Sequence, residues 1–183
     1  FEGYNDADAT KRKILRDEFE NGDLWFRTGE LLSKVELGYV YFVDRIGDTF
    51  RWKGENVSTN EVAEFVARAP GISTANVYGV SVPGTDGRAG MAAITTKGEV
   101  DFDGLYGWLS EHLPKYAIPL FIRVQKEAET TGTFKYRKVE LVKEGFDPAT
   151  VNEPLWYFDP DTQKYEPLTP DAHETILSGA VKF

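Results

Sequence analysis

Residues 44–61 read D-R-I-G-D-T-F-R-W-K-G-E-N-V-S-T-N-E. In this stretch Phe50, Trp52 and Val57 alternate with charged residues, so they are predicted to point inward from two short strands while the charged side chains face water. Gly54 lies between the two strands and permits the backbone angles of a tight turn. The pattern therefore predicts a hairpin.

A helix is predicted directly after this hairpin. Ser58 or Thr59 can cap it, the helix begins near Asn60, and Glu61 lies in its first turn, where a carboxylate is favourable. On local pattern alone, the stretch would be a solvated surface hairpin that leads into a helix.

The order of these residues is more specific than that local pattern. G-D-T-F-R-W-K-G-E-N-V-S-T, residues 47–59, resembles the signature of the very-long-chain acyl-CoA synthetases, also called the fatty acid transport protein family. The wider stretch resembles the hinge motif of the adenylate-forming enzymes. The resemblance implies that Asp48 is the hinge residue, a position whose backbone angles change while its side chain stays satisfied. It also implies that Arg45 contacts the ribose and phosphate region of ATP, where the local alternative is a weak surface ion pair.

Composition narrows the possible classes of protein. The chain has 183 residues, a net charge of −9, no Cys and two His. The sequence shows no apolar run long enough to cross a bilayer, no signal peptide pattern and no basic stripe for nucleic acid, and disulfides and a zinc site are not expected. We therefore predict no metal ligands and no nucleic-acid partner. The first residue is Phe rather than Met, which indicates a piece of a longer protein.

Before the hinge, the pattern predicts an amphipathic helix over residues 6–21, a strand at Trp25 and Phe26, and a hairpin over residues 30–43. The run F-R-T-G-E-L, residues 26–31, resembles a family element in which an Asp holds the ribose hydroxyls of ATP. A carboxylate suits a diol because it accepts two hydrogen bonds. Glu30 occupies that position here and is one methylene longer than the family residue.

After the hinge, the predicted elements alternate between strands and helices. Glycines at 84, 87 and 90 are interpreted as a long hairpin connection between two strands rather than a phosphate cradle, because no helix follows them. The remaining predictions are a helix over 60–68, strands over 72–82, 91–96 and 121–124, a helix from Asp101 or Asp103 to Leu113, a short helix or strand over 139–144, a small hairpin around 159–162 and a last helix from Thr169.

A second chemical stretch is E-T-T-G-T-F-K-Y-R-K, residues 129–138. By itself, a Lys in such a polar loop is usually a solvated surface charge. The segment T-G-T-F-K resembles the catalytic-lysine loop of the acyl-CoA synthetase branch, although Phe134 stands where the wider adenylate-forming pattern has Gly. The resemblance implies that Lys135 is the catalytic lysine.

The resemblance implies an α+β fold: a small antiparallel or mixed sheet of about three strands with packed helices, preceded by a β-hairpin. Residues 1–47 would be the tail of a large N-terminal adenylation domain, and residues 48–183 the C-terminal lid. The implied reaction joins a fatty acid to CoA at the expense of ATP, with Mg²⁺ held by ligands outside this chain. For thioester formation the lid would rotate and bring in the face formed by Lys53, Gly54 and Glu55.

The implied partners are a fatty acid, ATP, CoA and the N-terminal domain of the same polypeptide. The whole protein is expected in the cytoplasm or peripherally on the cytoplasmic side of a membrane, and the 183 residues alone are expected to be inactive. Two alternatives stay open: the lid of a bile-acid or carrier-protein ligase, or a non-catalytic α+β binding module. Glu30 favours the latter, whereas Asp48 and Lys135 oppose it.

Overall fold

The computed structural model describes residues 7–45, 49–128 and 138–183. The chain divides into two compact units, Phe1–Gly47 and Asp48–Phe183. The described part of the first unit contains these elements: α1 (Ala7–Lys13), β1 (Ile14–Arg16), β2 (Leu24–Phe26), β3 (Glu30–Lys34) and β4 (Val40–Arg45).

The described part of the second unit contains one two-stranded hairpin, a five-stranded sheet and four α-helices. Its elements are β5 (Thr49–Trp52), β6 (Glu55–Ser58), α2 (Thr59–Arg68), β7 (Ile72–Val80), β8 (Ala89–Thr96), α3 (Phe102–Ser110), a 3₁₀ turn (Lys115–Ala117), β9 (Phe121–Gln125), α4 (Val139–Glu144), β10 (Leu155–Asp159), β11 (Lys164–Pro167) and α5 (Pro170–Leu177).

The long first helix predicted over residues 6–21 is wrong. The helix is only α1, and β1 then pairs antiparallel with β2. The carboxylate of Asp23 accepts hydrogen bonds at 3.0 Å from the backbone N–H groups of residues 18–20, and Trp25 Nε1 donates to it at 2.7 Å. A side-chain acceptor that takes these N–H groups offers the backbone an alternative to the helix.

The predicted hairpin over residues 30–43 is confirmed. Strands β3 and β4 pair antiparallel. Their connection includes Gly38 at φ 84°, a backbone conformation that glycine adopts without steric cost.

The second unit is built on a five-stranded sheet with the order β11-β10-β9-β8-β7, as traced in the described residues. Strands β7 and β8 form the predicted long hairpin, and β8 pairs with β9 in parallel. The remaining two pairings are antiparallel. The sheet is therefore mixed, as predicted, and the α+β fold class is confirmed.

Helix α3 connects the parallel strands β8 and β9, which cannot be joined by a tight turn. Asp101 caps it by accepting the backbone N–H of Gly104 at 3.1 Å, and Leu105 and Leu109 bury its apolar face against the core. The cap is one of the two residues predicted, but the helix ends at Ser110 rather than at Leu113.

The sheet has two more strands than the three expected, and both come from the C-terminal part of the chain. β10 pairs with β9, with Leu155 opposite Arg123, and β11 pairs with β10. The hairpin itself was predicted, but its hydrogen-bonding partner was not. Hydrogen-bond pairing between distant strands leaves no periodic signal in either strand, so the pattern alone does not show which edge a hairpin joins.

The glycine-containing connection after β7 crosses the first hairpin of this unit. The backbone N–H of Arg88 donates to the carbonyl of Arg51 at 2.6 Å, and a Cβ on Gly87 would lie 2.2 Å from that same carbonyl oxygen. The glycine permits close contact of two backbones. The interpretation of these glycines as structural therefore has a specific physical basis.

We expect Gly87→Ala to destabilise the protein more than Gly84→Ala. Both glycines have positive φ, +90° and +75°, so each Ala costs about 1–2 kcal/mol in backbone strain. Only at Gly87 does the added Cβ clash with backbone, which adds roughly 1–3 kcal/mol, since around Gly84 no atom lies within 4 Å of it. Urea unfolding followed by tryptophan fluorescence measures the difference, and equal midpoints for the two variants would contradict this close approach.

Candidate functional site

The first hairpin of the second unit, β5 and β6, has a two-residue turn made of Lys53 and Gly54. Their φ angles are +50° and +85°, as a primed hairpin turn requires. Trp52 lies opposite Glu55 across the turn. The structure thus brings Lys53, Gly54 and Glu55 together at one solvent-exposed tip.

The inward face of this hairpin is buried in the core. Phe50, Trp52 and Val57 are 5%, 3% and 2% exposed, as the alternation predicts. Phe50 also packs over Gly79, where a Cβ would lie 2.5 Å from the Cβ of Phe50. The tip is therefore carried on a rigid support, and its orientation is set by apolar packing on the opposite face.

Helix α2 begins directly after the hairpin. Ser58 caps it as predicted, since its side chain accepts the backbone N–H of Glu61 at 3.3 Å. Thr59, 3% exposed, accepts a hydrogen bond at 2.7 Å from the ammonium of Lys138. Lys138 immediately follows the segment that contains Lys135, so the first described residue after that segment is hydrogen-bonded to the start of α2.

Lys135 and Asp48 lie outside the described residues, and so does the side chain of Arg45. Their assigned roles stay predictions. Glu30 is exposed, and its backbone N–H donates to Thr28 Oγ1 at 3.1 Å. In the pairing of β3 with β4, Glu30 lies opposite Arg45. The two residues assigned to the nucleotide are therefore cross-strand partners at one end of one hairpin.

Comparisons with known proteins agree with this architecture. A family model described as the AMP-binding enzyme C-terminal domain matches residues 61–135. The chain contains an AMP-binding enzyme C-terminal domain. The predicted type of domain is thereby confirmed.

The curated relatives of this chain are much longer than the chain itself. The chain is 48% identical to long-chain fatty acid transport protein 6 of Mus musculus over 100% of its own length, and 46% identical to long-chain fatty acid transport protein 2 of Rattus norvegicus over 95%. It spans only 30% and 28% of those two proteins. The predicted relationship to the fatty acid transport proteins is confirmed.

Solved structures resemble this C-terminal domain in fold. The o-succinylbenzoate CoA synthetase of Bacillus subtilis, in complex with its acyl-adenylate intermediate, matches with a TM-score of 0.65 and 26% identity over 76% of this chain and 28% of that one. A Mycobacterium tuberculosis fatty acyl CoA synthetase matches with a TM-score of 0.54 and 27% identity over 78% of this chain and 27% of that one.

A buried arginine in this C-terminal domain was missed by the sequence analysis. Arg123 of β9 is 5% exposed. Its Nη1 donates to Glu144 of α4, and its Nη2 donates to both carboxylate oxygens of Glu153 at 3.0 Å. The available signal was an Arg at the centre of the apolar run F-I-R-V-Q, residues 121–125, since a charge in a buried strand needs paired partners.

The electrostatics of this cluster follow from burial and pairing. Burial alone would lower the pKa of Arg123, but hydrogen bonds and charge from Glu144 and Glu153 outweigh it and raise that pKa above its ordinary value. Burial raises the pKa of the nearby Tyr78 phenol, although the charge of Arg123 acts in the opposite direction. Arg123 is therefore held as a cation, and Tyr78 as a neutral phenol.

Two further findings concern the described ranges 7–45, 49–128 and 138–183. None of the helices there is both long and apolar enough to cross a bilayer. The His, Asp and Glu side chains in these ranges do not gather in groups of three or more that could hold a metal ion.

Proposed function

We propose that this chain is the C-terminal lid of a long- or very-long-chain fatty acid CoA ligase that forms AMP. The lid supplies a catalytic lysine for acyl-adenylate formation and then rotates about a hinge for thioester formation. Identity of 43–48% to long-chain fatty acid transport proteins and likeness to a solved fatty acyl CoA synthetase support this function.

One observation supports the proposed rotation. The second compact unit begins at Asp48 and contains both proposed faces, the hairpin tip at 53–55 and the segment with Lys135. Lys138, the first described residue after that segment, donates to Thr59, the first residue of α2, which directly follows the hairpin. Because one body carries both faces, a single change of backbone angles at Asp48 can exchange them at a fixed active site.

In the first step an oxygen of the fatty acid carboxylate attacks the α-phosphorus of ATP. The bond to the β-phosphate bridge breaks and pyrophosphate leaves, giving the acyl-adenylate. Negative charge gathers between the carboxylate and the α-phosphate, so the ammonium of Lys135 stabilises the transition state electrostatically.

In the second step the thiol sulfur of CoA attacks the acyl carbonyl carbon. The thiol gives up its proton, the bond to the phosphate oxygen breaks, and AMP leaves. The exposed tip of Lys53, Gly54 and Glu55 is the face that replaces Lys135 in this step. Gly54 suits close approach to a ligand, since a Cβ there would meet no atom within 4 Å in the chain as described.

Glu30 and Arg45 are proposed to bind the ribose and phosphate region of ATP from the first unit. Their cross-strand pairing supports a shared ligand. Mg²⁺ would accompany ATP and neutralise phosphate charge. We propose that its ligands lie outside this chain, in the N-terminal domain.

The N-terminal adenylation domain is the proposed partner of the first unit. The described part of this unit exposes many large apolar side chains. Such exposure is typical of a surface that normally packs against another domain. These side chains are Phe19, Leu24, Trp25, Phe26, Leu32, Val35, Leu37, Tyr39, Val40 and Tyr41. For the whole protein we propose a cytoplasmic location or peripheral attachment to the cytoplasmic side of a membrane, because long-chain fatty acids partition into bilayers.

Replacing the hinge residue tests the rotation. In the full-length enzyme we expect Asp48→Pro to reduce thioester formation from supplied acyl-adenylate about tenfold, equivalent to ~1.4 kcal/mol. Adenylation, measured as ATP–pyrophosphate exchange with fatty acid, should stay close to wild type. The reason is that Pro fixes φ near −65° and so restricts the change of angle that rotation needs.

Asp48→Ala is the matched control, since it removes the carboxylate and leaves φ free to change. Both half-reactions should be nearly normal in this variant. Equal loss of the two half-reactions in Asp48→Pro, or normal thioester formation, would rule out a hinge at this residue.

A further inference from the structure

Helix α4 begins one residue after the segment 129–137 that contains Lys135. It has only six residues, and within it only Leu141 is buried. A helix this short is not stable by itself in water and depends on tertiary contacts for its position. What anchors α4 therefore sets where the downstream end of that segment is held.

Two polar contacts provide this anchoring. At the start of α4, Lys138 donates to the buried Thr59 of α2 at 2.7 Å. At its end, the carboxylate of Glu144 accepts a hydrogen bond from Nη1 of Arg123 in the central sheet. The second contact joins the helix to a strand arginine that is 5% exposed, while the Glu144 side chain is 41% exposed, so solvent screens this charged hydrogen bond in part.

Arg123 is itself oriented by a residue from the C-terminal part of the chain. Both carboxylate oxygens of Glu153 lie 3.0 Å from Nη2 of Arg123. Glu153 immediately precedes Pro154 and β10, which pairs with β9 directly across from Arg123 at Leu155. With two nitrogens committed to two carboxylates, the planar guanidinium has one orientation, and the carboxylate of Glu144 has a fixed partner.

We propose that Arg123, Glu144 and Glu153 form a brace that positions the segment containing Lys135. The hairpin β10–β11 contributes to this brace through Glu153, although the matching family model ends at residue 135. The three residues are positioning residues that act through α4 and need not touch any substrate. The proposal rests on the proposed function in one respect: the braced segment is taken to supply the lysine for adenylation.

The short sequence separation between α4 and Lys135 is the reason that the brace can affect the lysine. Lys135 is three residues from Lys138, so its Cα cannot lie more than roughly 11 Å from that of Lys138. A shift or fraying of α4 would change the region that Lys135 can reach. Because misplacement by about 1 Å can cost up to ~10²-fold in rate, loss of the brace should be visible in adenylation.

The test uses the full-length enzyme with Glu144→Gln, Glu153→Gln and Arg123→Lys. We expect ATP–pyrophosphate exchange to fall about tenfold in Glu144→Gln and less in Glu153→Gln, which keeps the contact to α4. Arg123→Lys keeps the charge, but an ammonium cannot hold two carboxylates in a fixed fork. Its ATP–pyrophosphate exchange should therefore fall as much as that of Glu144→Gln. Thioester formation from supplied acyl-adenylate should stay within about twofold in all three, since a merely unfolded lid would lose both half-reactions.

Asp103→Asn is the matched control. It removes a carboxylate from another ion pair of the same unit, the exposed contact of Asp103 with Lys164 at 2.8 Å. Both half-reactions should be unchanged in this variant. If it lowered adenylation as much as Glu144→Gln, the effect would be one of general stability and the brace would be refuted.

Hydrogen exchange gives a second readout that does not depend on catalysis. The backbone N–H groups of Val142 and Gly145 donate to Lys138 and Leu141 within α4. We expect their exchange to accelerate in Glu144→Gln and to stay unchanged in Asp103→Asn. Unchanged protection in Glu144→Gln would overturn the brace.

The outcomes separate the brace from the function on which it rests. Faster exchange with normal adenylation, in an enzyme that Lys135→Ala inactivates, would refute positioning and leave the proposed function standing. Normal adenylation in Lys135→Ala would remove the proposed function, and the positioning role of the brace with it.

Discussion

Lys135→Ala in the full-length enzyme is expected to lower ATP–pyrophosphate exchange with fatty acid by ~10²–10³, or roughly 3–4 kcal/mol of transition-state stabilisation. The ammonium is proposed to act on charge that develops between the carboxylate and the α-phosphate, so its loss should reduce the rate of adenylation rather than the binding of fatty acid. Thioester formation from supplied acyl-adenylate should be spared, because the proposed rotation would by then have replaced the lysine with the hairpin tip at residues 53–55.

Two other lysines of the second unit serve as comparisons for this experiment. Lys143→Ala, on α4, removes a cation of the same unit to which we assign no role, and both half-reactions should stay near wild type. Lys53→Ala, at the exposed hairpin tip, should affect thioester formation and spare adenylation. If Lys135→Ala released pyrophosphate at the normal rate, the catalytic role of Lys135 would be wrong and the chain would be better described as a binding or regulatory module.

Phe121→Ala is expected to lower the free energy of unfolding of this chain by about 3–5 kcal/mol, the usual cost of truncating a buried aromatic residue. Phe121 is fully buried in β9. Its ring stacks on Phe146 with 4.2 Å between centroids and meets Phe183 edge-on at 5.6 Å. The variant therefore leaves a cavity and removes aromatic contacts with Phe146 and Phe183, which come from later in the chain.

Chemical denaturation at equilibrium, followed by far-UV circular dichroism, measures this loss. Val139→Ala is the control, since its side chain is 77% exposed and its loss should change the free energy of unfolding by less than ~0.5 kcal/mol. If Phe121→Ala lowered the free energy of unfolding by less than about 1 kcal/mol, this ring would not contribute to core stability as its burial and stacking indicate.

Local patterns in the sequence predicted the parts of the fold that neighbouring residues determine. The alternation of Phe50, Trp52 and Val57 predicted the buried face of the hairpin, and Ser58 predicted the start of α2. Burial of every second residue and capping of free N–H groups are short-range effects, so a single stretch contains the information.

The features that the sequence analysis missed depend on distant partners. The carboxylate of Asp23 reaches back to residues 18–20 and accepts their N–H groups where a longer helix was expected. Arg123 finds its partners 21 and 30 residues away. Glu30 and Arg45 were assigned separately, and only the register of β3 with β4 places them opposite one another.

In the proposed site, too, some features follow from local sequence pattern and others do not. The tip formed by Lys53, Gly54 and Glu55 follows from a local turn and was predictable as an exposed group of residues. The roles of Lys135 and Asp48 come from resemblance to a family and stay predictions, since both residues lie outside the described ranges.

The pairing of β9 with β10 also has a consequence during synthesis on the ribosome. The chain emerges from its N-terminal end, so β9 can join β8 well before residues 155–159 of β10 are available. In that interval β9 presents an open row of backbone donors and acceptors to other nascent chains, which is a route to aggregation. Arg123 lies on β9 at this pairing, and a charged residue on an edge strand would discourage such contacts until β10 and Glu153 are available.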